Sequence, residues 1–220
     1  GVAVLTIPKD LGWAQINDTY QPNVKSHQTP VYPSPRPEDV EEAVKLIKEA
    51  KSPMIYFGIG AKDAADELKE ASEKFKMPLV SSFLAKGILP DDYPAYLGST
   101  GRVAPKPGSE AGFSTDLILW VGNNVPFSIF LFNKHAKVIQ IDIQSEKLGE
   151  RRHNDVSMLA DSKVALDAIL EAGETRQPSA FYQACLANKE NWNSWLDSFK
   201  DSDQMPVRPE PIFDVLNRTA

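Results

Sequence analysis

The chain is 220 residues long, 42% hydrophobic and 25% charged, an ordinary globular composition with enough material to bury a core. A formal net charge of −6 without a sustained Lys/Arg stripe argues against a nucleic-acid or anionic-membrane surface, and no apolar run approaches the roughly 20 residues of a membrane span. Cys185 is the single cysteine, which excludes an internal disulfide and a thiolate metal cluster and makes the cytoplasm the expected setting.

In chain order, Gly1 to Pro8 reads as one short apolar strand, and Lys9 to Pro35 is polar and punctuated by prolines. From Pro37 the pattern becomes helical: proline suits a first turn, Glu38 and Asp39 favour the helix dipole, and Val40, Ala43, Val44 and Ile47 share one face. Pro53 to Phe57 predicts a buried strand. It is followed by a turn holding Gly58 and Gly60 and by a helix carrying Ala64, Ala65, Leu68, Ala71 and Phe75 at helical spacing. Pro78 to Ser82, Leu117 to Val121 and Val138 to Ile143 predict three more strands, almost continuously apolar as strands covered on both faces are. Their alternation with helices predicts an α/β fold, a Rossmann-like parallel sheet flanked by helices. Asp161 suits the cap of a helix with Val164, Ala165, Ala168 and Ile169 inward, and Gly173 falls where a glycine stop belongs. Beyond it, Phe181, Cys185, Asn188, Trp192, Trp195 and Phe199 recur at spacings that line one side of a helix, and two tryptophans on one stripe ask for burial. Asp201 to Pro211 reads as a charged linker, and Ile212 to Leu216 opens another helical pattern. The expected organisation is a segment 1–30 belonging to a preceding domain, an α/β domain over 31–173, and a linker helix with the start of a further domain over 174–220. On this reading the chain is a fragment.

The residues that can carry chemistry sit in loops after predicted strands. Glycine lets a chain turn tightly and bring its N–H groups to a phosphate, and a following helix N-terminus favours negative charge, so Gly58 to Ala61 suits a nucleotide. The same two glycines also suit a tight connection with no ligand. A third fingerprint glycine is absent, since Asp63 stands there, which disfavours the usual NAD-type pattern. Lys86-Gly87, Gly98-Ser99-Thr100-Gly101-Arg102 and Gly122-Asn123-Asn124 follow other strand ends, where ligands of open α/β sheets lie. Arg102 offers paired donors to a phosphate or carbonyl, or is a plain surface arginine. Asp142, at the end of a strand, suits the two hydroxyls of a ribose or an ordinary loop cap. No His, Asp or Glu group has metal-ligand spacing, His27, His135 and His153 lack a nucleophile partner, and Cys185 lies on an apolar stripe as a structural thiol. The residues therefore assign no metal and no catalytic triad.

Taken as a set, Tyr56-Phe57-Gly58-Ile59-Gly60-Ala61, Pro78-Leu79-Val80-Ser81-Ser82 with Ala85-Lys86-Gly87, Tyr93-Pro94-Ala95-Tyr96-Leu97-Gly98-Ser99, Arg102-Val103-Ala104, Val121-Gly122-Asn123-Asn124 with Pro126-Phe127, Ile141-Asp142-Ile143 and Leu159-Ala160-Asp161 resemble the central domain of thiamine-diphosphate enzymes, most closely the FAD-binding domain of bacterial pyruvate oxidases. The resemblance spans roughly residues 30 to 172. It implies an extended FAD over the strand ends, with its diphosphate near Gly58, Ile59, Gly60 and Ala61. Arg102 and Asn123 fall along the ribityl-flavin portion, Asp142, Ile143 and Asp161 hold the adenosine half, and Lys86 and Ser99 are further cofactor-binding residues. It implies oxidative decarboxylation of pyruvate to acetyl phosphate, carbon dioxide and hydrogen peroxide, in a homo-oligomer that is a tetramer by resemblance. Thiamine diphosphate and magnesium belong to neighbouring domains of the same polypeptide, because the family's activating glutamate and Gly-Asp-Gly motif match no stretch here. The segment alone is expected to be inactive. Gln144 stands where the family pattern leads one to expect a second acid. An acetolactate synthase-like central domain, holding structural FAD, ADP or no nucleotide, is the alternative, and a ligand-free spacer is a third reading.

Overall fold

The computed structural model describes residues 2, 4–15, 32–101, 103–124 and 129–219. They fall into two compact units, 1–31 and 32–220. In the first, a single turn of 3-10 helix spans Leu11–Trp13. The strand expected over 1–8 is not formed in its described residues, which join no sheet; an extended segment without a pairing neighbour has no partner for its backbone groups. Most of the polar stretch that follows, 16–31, lies outside the described residues.

The second unit is a six-stranded, all-parallel sheet with helices on both faces. Its strands are β1 (Pro53–Phe57), β2 (Leu79–Ser81), β3 (Tyr96–Ser99), β4 (Leu117–Val121), β5 (Lys137–Asp142) and β6 (Val156–Leu159), in the spatial order β3-β2-β1-β4-β5-β6. This is the doubly wound order, whose direction of winding reverses between β1 and β4. The helices are α1 (Pro37–Glu49), α2 (Ala65–Phe75), α3 (Lys106–Ser114), α4 (Ser162–Ala172), α5 (Ala180–Asp197) and α6 (Pro209–Thr219).

Period-two alternation divides the core. From β1 and β4, Ile55, Phe57, Leu117, Leu119 and Val121 face a layer built by α1, α2 and α4, while Met54, Tyr56, Ile118 and Trp120 face a second layer with Ala111 of α3 and Cys185 of α5. Both sides of these strands are buried, which is why they read as continuous apolar runs. Tyr56, Trp120 and Phe132 meet edge-on or tilted, with ring centroids 4.9 to 5.8 Å apart. Asp161 caps α4 by accepting from the N–H groups of Lys163 and Val164 at 2.9 and 3.2 Å.

Three regular elements have no counterpart among the elements expected from sequence. β3 and β6 are the sheet edges, four residues each, and only part of each is buried. α3 contains Pro107, Gly108 and Gly112, poor helix formers. Gly108 is there because a Cβ would stand 2.7 Å from the Ser99 carbonyl oxygen, where the helix lies directly on β3.

Burial pushes the Cys185 thiol up to about 12, with Glu110 adding to the effect, and burial pushes the Tyr56 phenol to about 12 as well. The ordinary values are 9.0 and 10.0, so between these limits the unfolded chain holds fewer protons than the folded one. Stability is then intact at neutral pH and falls as pH rises from about 9 towards 12. Urea midpoints measured across this range check the sign. Cys185 is also expected to resist thiol reagents in the native protein at mildly alkaline pH and to react once urea is added.

A candidate ligand rim along the strand ends

All six strands point the same way, so their C-terminal ends form one rim. β1 leaves the sheet at Gly58 into a 3-10 turn over Ile59–Ala61, and α2 begins only at Ala65. β4 leaves beside it through Gly122, whose φ is +57. The two turns are pressed together: Gly60 N–H donates to the Gly122 carbonyl at 3.0 Å, Gly58 N–H to Val121 at 2.8 Å and Gly122 N–H to Ile141 at 2.9 Å. A Cβ on Gly58 would come within 2.4 Å of the Gly122 oxygen, and one on Gly122 within 2.6 Å of the Gly60 carbonyl carbon. These glycines are therefore required by each other, whether or not a ligand is present. Of the turn's amides, Gly60 and Ala61 donate to Gly122 and Gly58.

Next along the rim, Asn123 is 7% exposed and its carbonyl accepts from the Trp120 indole N–H at 2.8 Å. Its Nδ2 completes no hydrogen bond of ordinary geometry among the described residues, although the Asn123 side chain is close enough to the Tyr56 phenol to pull that group's pKa down against the effect of burial. Thr100, just past β3, is 6% exposed and donates its backbone N–H to Ser81, yet its Oγ1 is also unpartnered among them. Each such buried orphan costs on the order of 1–3 kcal/mol unless something else supplies the bond.

At the end of β5, Asp142 is 8% exposed, and burial raises its carboxyl group above the usual carboxylate range against the opposing pull of backbone N–H groups. Gln144, which stands where a second acid was expected, donates its backbone N–H to Asp142 Oδ1 at 2.9 Å. Behind this loop the buried Gln140 accepts from Gly149 N–H at 2.9 Å and donates to the Lys147 carbonyl at 3.0 Å, fastening 147–149 to β5. Asp161 uses Oδ1 for both cap bonds.

Lys86 pairs with Asp91. It lines, with Ser99, a cavity of about 440 Å³ beside β3. Gly58, Ile59, Gly60, Ala61, Asn123, Asp142, Ile143 and Asp161 lie on the rim but do not line that cavity. Arg102, Pro126 and Phe127 lie outside the described residues.

Two features are not legible in the sequence. Thr100 is marked there by nothing beyond the glycines around it. Exposed apolar side chains are interleaved with the buried polar ones: Ile59 after β1, Phe83 and Leu84 after β2, Val103 after β3 and Ile143 after β5. A rim that alternates unpaired buried polar atoms with exposed apolar ones suits an extended, amphipathic molecule better than a small anion. No group of three or more His, Cys, Asp or Glu is placed to hold a metal ion, and no helix is long and apolar enough to cross a membrane, among the described residues.

Residues 40–169 match the family described as thiamine pyrophosphate enzyme, central domain. The chain is 41% identical to a pyruvate oxidase of Lactiplantibacillus plantarum, over 100% of its own length and 37% of that relative's. An acetolactate synthase large subunit of Corynebacterium glutamicum is 27% identical over 91% of this chain and 32% of its own. An acetolactate synthase of Arthrospira platensis is 31% identical over 78% and 31%. The chain thus spans less than two fifths of the length of each of these relatives.

Proposed function

The chain belongs to the thiamine pyrophosphate enzyme family, whose central domain its residues 40–169 match, and on that premise we propose that it is the FAD-binding segment of a pyruvate oxidase, with 31–173 as the nucleotide domain. The observation that carries this reading is the rim itself. Asp142 and Asp161 stand at its β5 and β6 end, Asn123 and Gly58 to Ala61 at its centre, and Ser99 and Thr100 at its β3 end. From β5 to β3 is four strand spacings, about 19 Å, the reach of a dinucleotide lying extended.

The residues present fit such a group. The Asp142 carboxylate accepts hydrogen bonds from ribose hydroxyls, and Asn123 Nδ2, Thr100 Oγ1 and Ser99 meet the ribityl side. The exposed apolar side chains between them exclude water from the bound molecule. FAD, when bound, supplies acceptance of the electron pair released by pyruvate decarboxylation and its delivery to oxygen. The whole protein would convert pyruvate, phosphate and oxygen to acetyl phosphate, carbon dioxide and hydrogen peroxide. Thiamine diphosphate and magnesium would be bound by other parts of the polypeptide, in a cytoplasmic homo-oligomer.

A ligand that binds only the folded state stabilises it: free FAD at a hundred times its Kd adds about 2.7 kcal/mol and lifts Tm by about 5–10 °C. Calorimetry with and without FAD measures this, and an unmoved Tm in a folded sample removes the reading. The match to acetolactate synthases favours a second one, a non-oxidative enzyme with structural FAD, ADP or no nucleotide. Oxygen uptake by the full chain with pyruvate and phosphate supports the oxidase; carboligation without it supports the alternative.

A further inference from the structure

Resting on the flavin reading above, we infer that Tyr56 and Trp120, neighbours on the face of the sheet turned towards α3 and α5, are positioning residues: together they hold Asn123 in the attitude in which its amide meets the bound molecule. Each is 2% exposed, so both act through Asn123 and not by touching a ligand.

The two residues are register partners across β1 and β4. Their rings meet edge-on at 5.7 Å, and Phe132 closes the third side at 4.9 Å from Tyr56 and 5.8 Å from Trp120. Rings packed against one another in this way have little freedom to turn, so their polar ends are fixed. An indole has one donor and no acceptor, and here that donor is spent on the Asn123 carbonyl at 2.8 Å. The left-handed turn at Gly122, φ +57, brings the carbonyl of residue 123 within reach of residue 120.

The side chain of Asn123 is held as well as its backbone. A Cβ on Gly58 would stand 2.6 and 2.8 Å from Asn123 Cβ and Cγ, so the amide group packs across the bare Cα at the end of β1. The Tyr56 phenol lies near enough to this amide for its pKa to be pulled down against burial. An amide nitrogen carries two hydrogens; one turned towards the phenol leaves the second for the ligand. A tryptophan that only needed an acceptor for its N–H would be a core residue and nothing more. Here two side chains from one face converge on the backbone and on the side chain of a single rim residue. A polar group held in its binding attitude before the ligand arrives avoids the entropy loss of ordering it, which corresponds to about two- to tenfold in affinity.

FAD titration of the full chain by calorimetry tests this, joined to NMR of the side-chain amides in asparagine-labelled protein, where Asn123→Ala identifies the Asn123 pair by its disappearance. Tyr56→Phe deletes one oxygen and keeps the ring. It is expected to move the Asn123 amide resonances before FAD is added and to weaken FAD binding about two- to tenfold. Trp120→Phe deletes the indole N–H and is expected to do the same with some loss of Tm. In an Asn123→Ala background neither change should weaken FAD binding further, because the residue they act through is gone, whereas their effects on Tm should persist. A loss of affinity that survives in that background means that the two residues act on the fold alone, and overturns the inference. An Asn123→Ala variant that binds FAD as tightly as the wild type overturns it too. So does an unmoved Asn123 amide pair with unchanged FAD affinity; in each of these cases FAD binding by the wild type leaves the rim reading standing. Should Trp120→Phe fail to fold, Tyr56→Phe decides alone. Wild-type protein that binds no FAD overturns both readings.

Discussion

Gly122→Ala is expected to destabilise the protein by about 3–5 kcal/mol, among the largest losses open to a single substitution in this chain. Two penalties coincide at this position. Its φ of +57 lies in the left-handed region, unfavourable for a residue with a Cβ, and the added methyl would stand 2.6 to 2.8 Å from backbone atoms of Gly60 and Ala61. Backbone cannot swing aside as a flexible side chain can, so β1 and β4 would have to separate at the rim. Gly87 provides the control: its φ is +93, but a methyl group there would meet nothing within 4 Å, so Gly87→Ala should lose only about 1–2 kcal/mol. Urea midpoints with an unchanged denaturant slope measure both. Equal losses would mean that the contact between the two turns is not tight. Because Gly122 also carries Asn123, FAD binding should weaken with it.

Asp142→Asn is expected to act with opposite signs on stability and on ligand binding. Burial raises the Asp142 carboxyl group in the folded state. A group raised in this way favours folding below its unfolded value and opposes it once ionised, so at neutral pH the charge is a burden. Asparagine removes that burden and keeps an acceptor for the Gln144 N–H, now 2.9 Å from Oδ1. The ligand-free Tm should therefore not fall. FAD, however, would exchange a charge-assisted hydrogen bond for a neutral one, weakening binding by about 10- to 100-fold. Calorimetric titration and a thermal melt of the same variant give the two numbers. A variant that loses Tm and keeps FAD affinity would show Asp142 to be a structural cap. If FAD binds as proposed, the raised carboxyl would also make its affinity for the wild type decline on acidification sooner than an ordinary aspartate would.

Much of the fold is legible in local pattern. The strands Pro53–Phe57 and Leu117–Val121 are marked by unbroken apolar runs, the helix starting at Pro37 by proline and two acids at its first turn, and α4 by Asp161 before an apolar face. Each signal lives within a few residues, where spacing decides which side chains share a face. The described candidate residues fall at or just beyond strand ends for the same reason, since strand ends follow from strands. The stripe through Trp192 and Trp195 is also visible, but its expected burial is only partly met: Trp195 remains 49% exposed.

By itself, then, the order of residues determined that this protein is an α/β sheet with its polar loops at one end, because hydrophobic periodicity is a short-range property. Only the tertiary structure decided that Gly58 and Gly60 are small to admit Gly122, that β3 and β6 form the edges, that Thr100 and Asn123 bury polar atoms that complete no ordinary hydrogen bond among the described residues, and that α5 closes a cavity over β3. Those outcomes arise between segments tens of residues apart in the chain. Whether a glycine, a hydroxyl or an indole is constrained by protein or left available for a ligand depends on which distant backbone comes to rest against it.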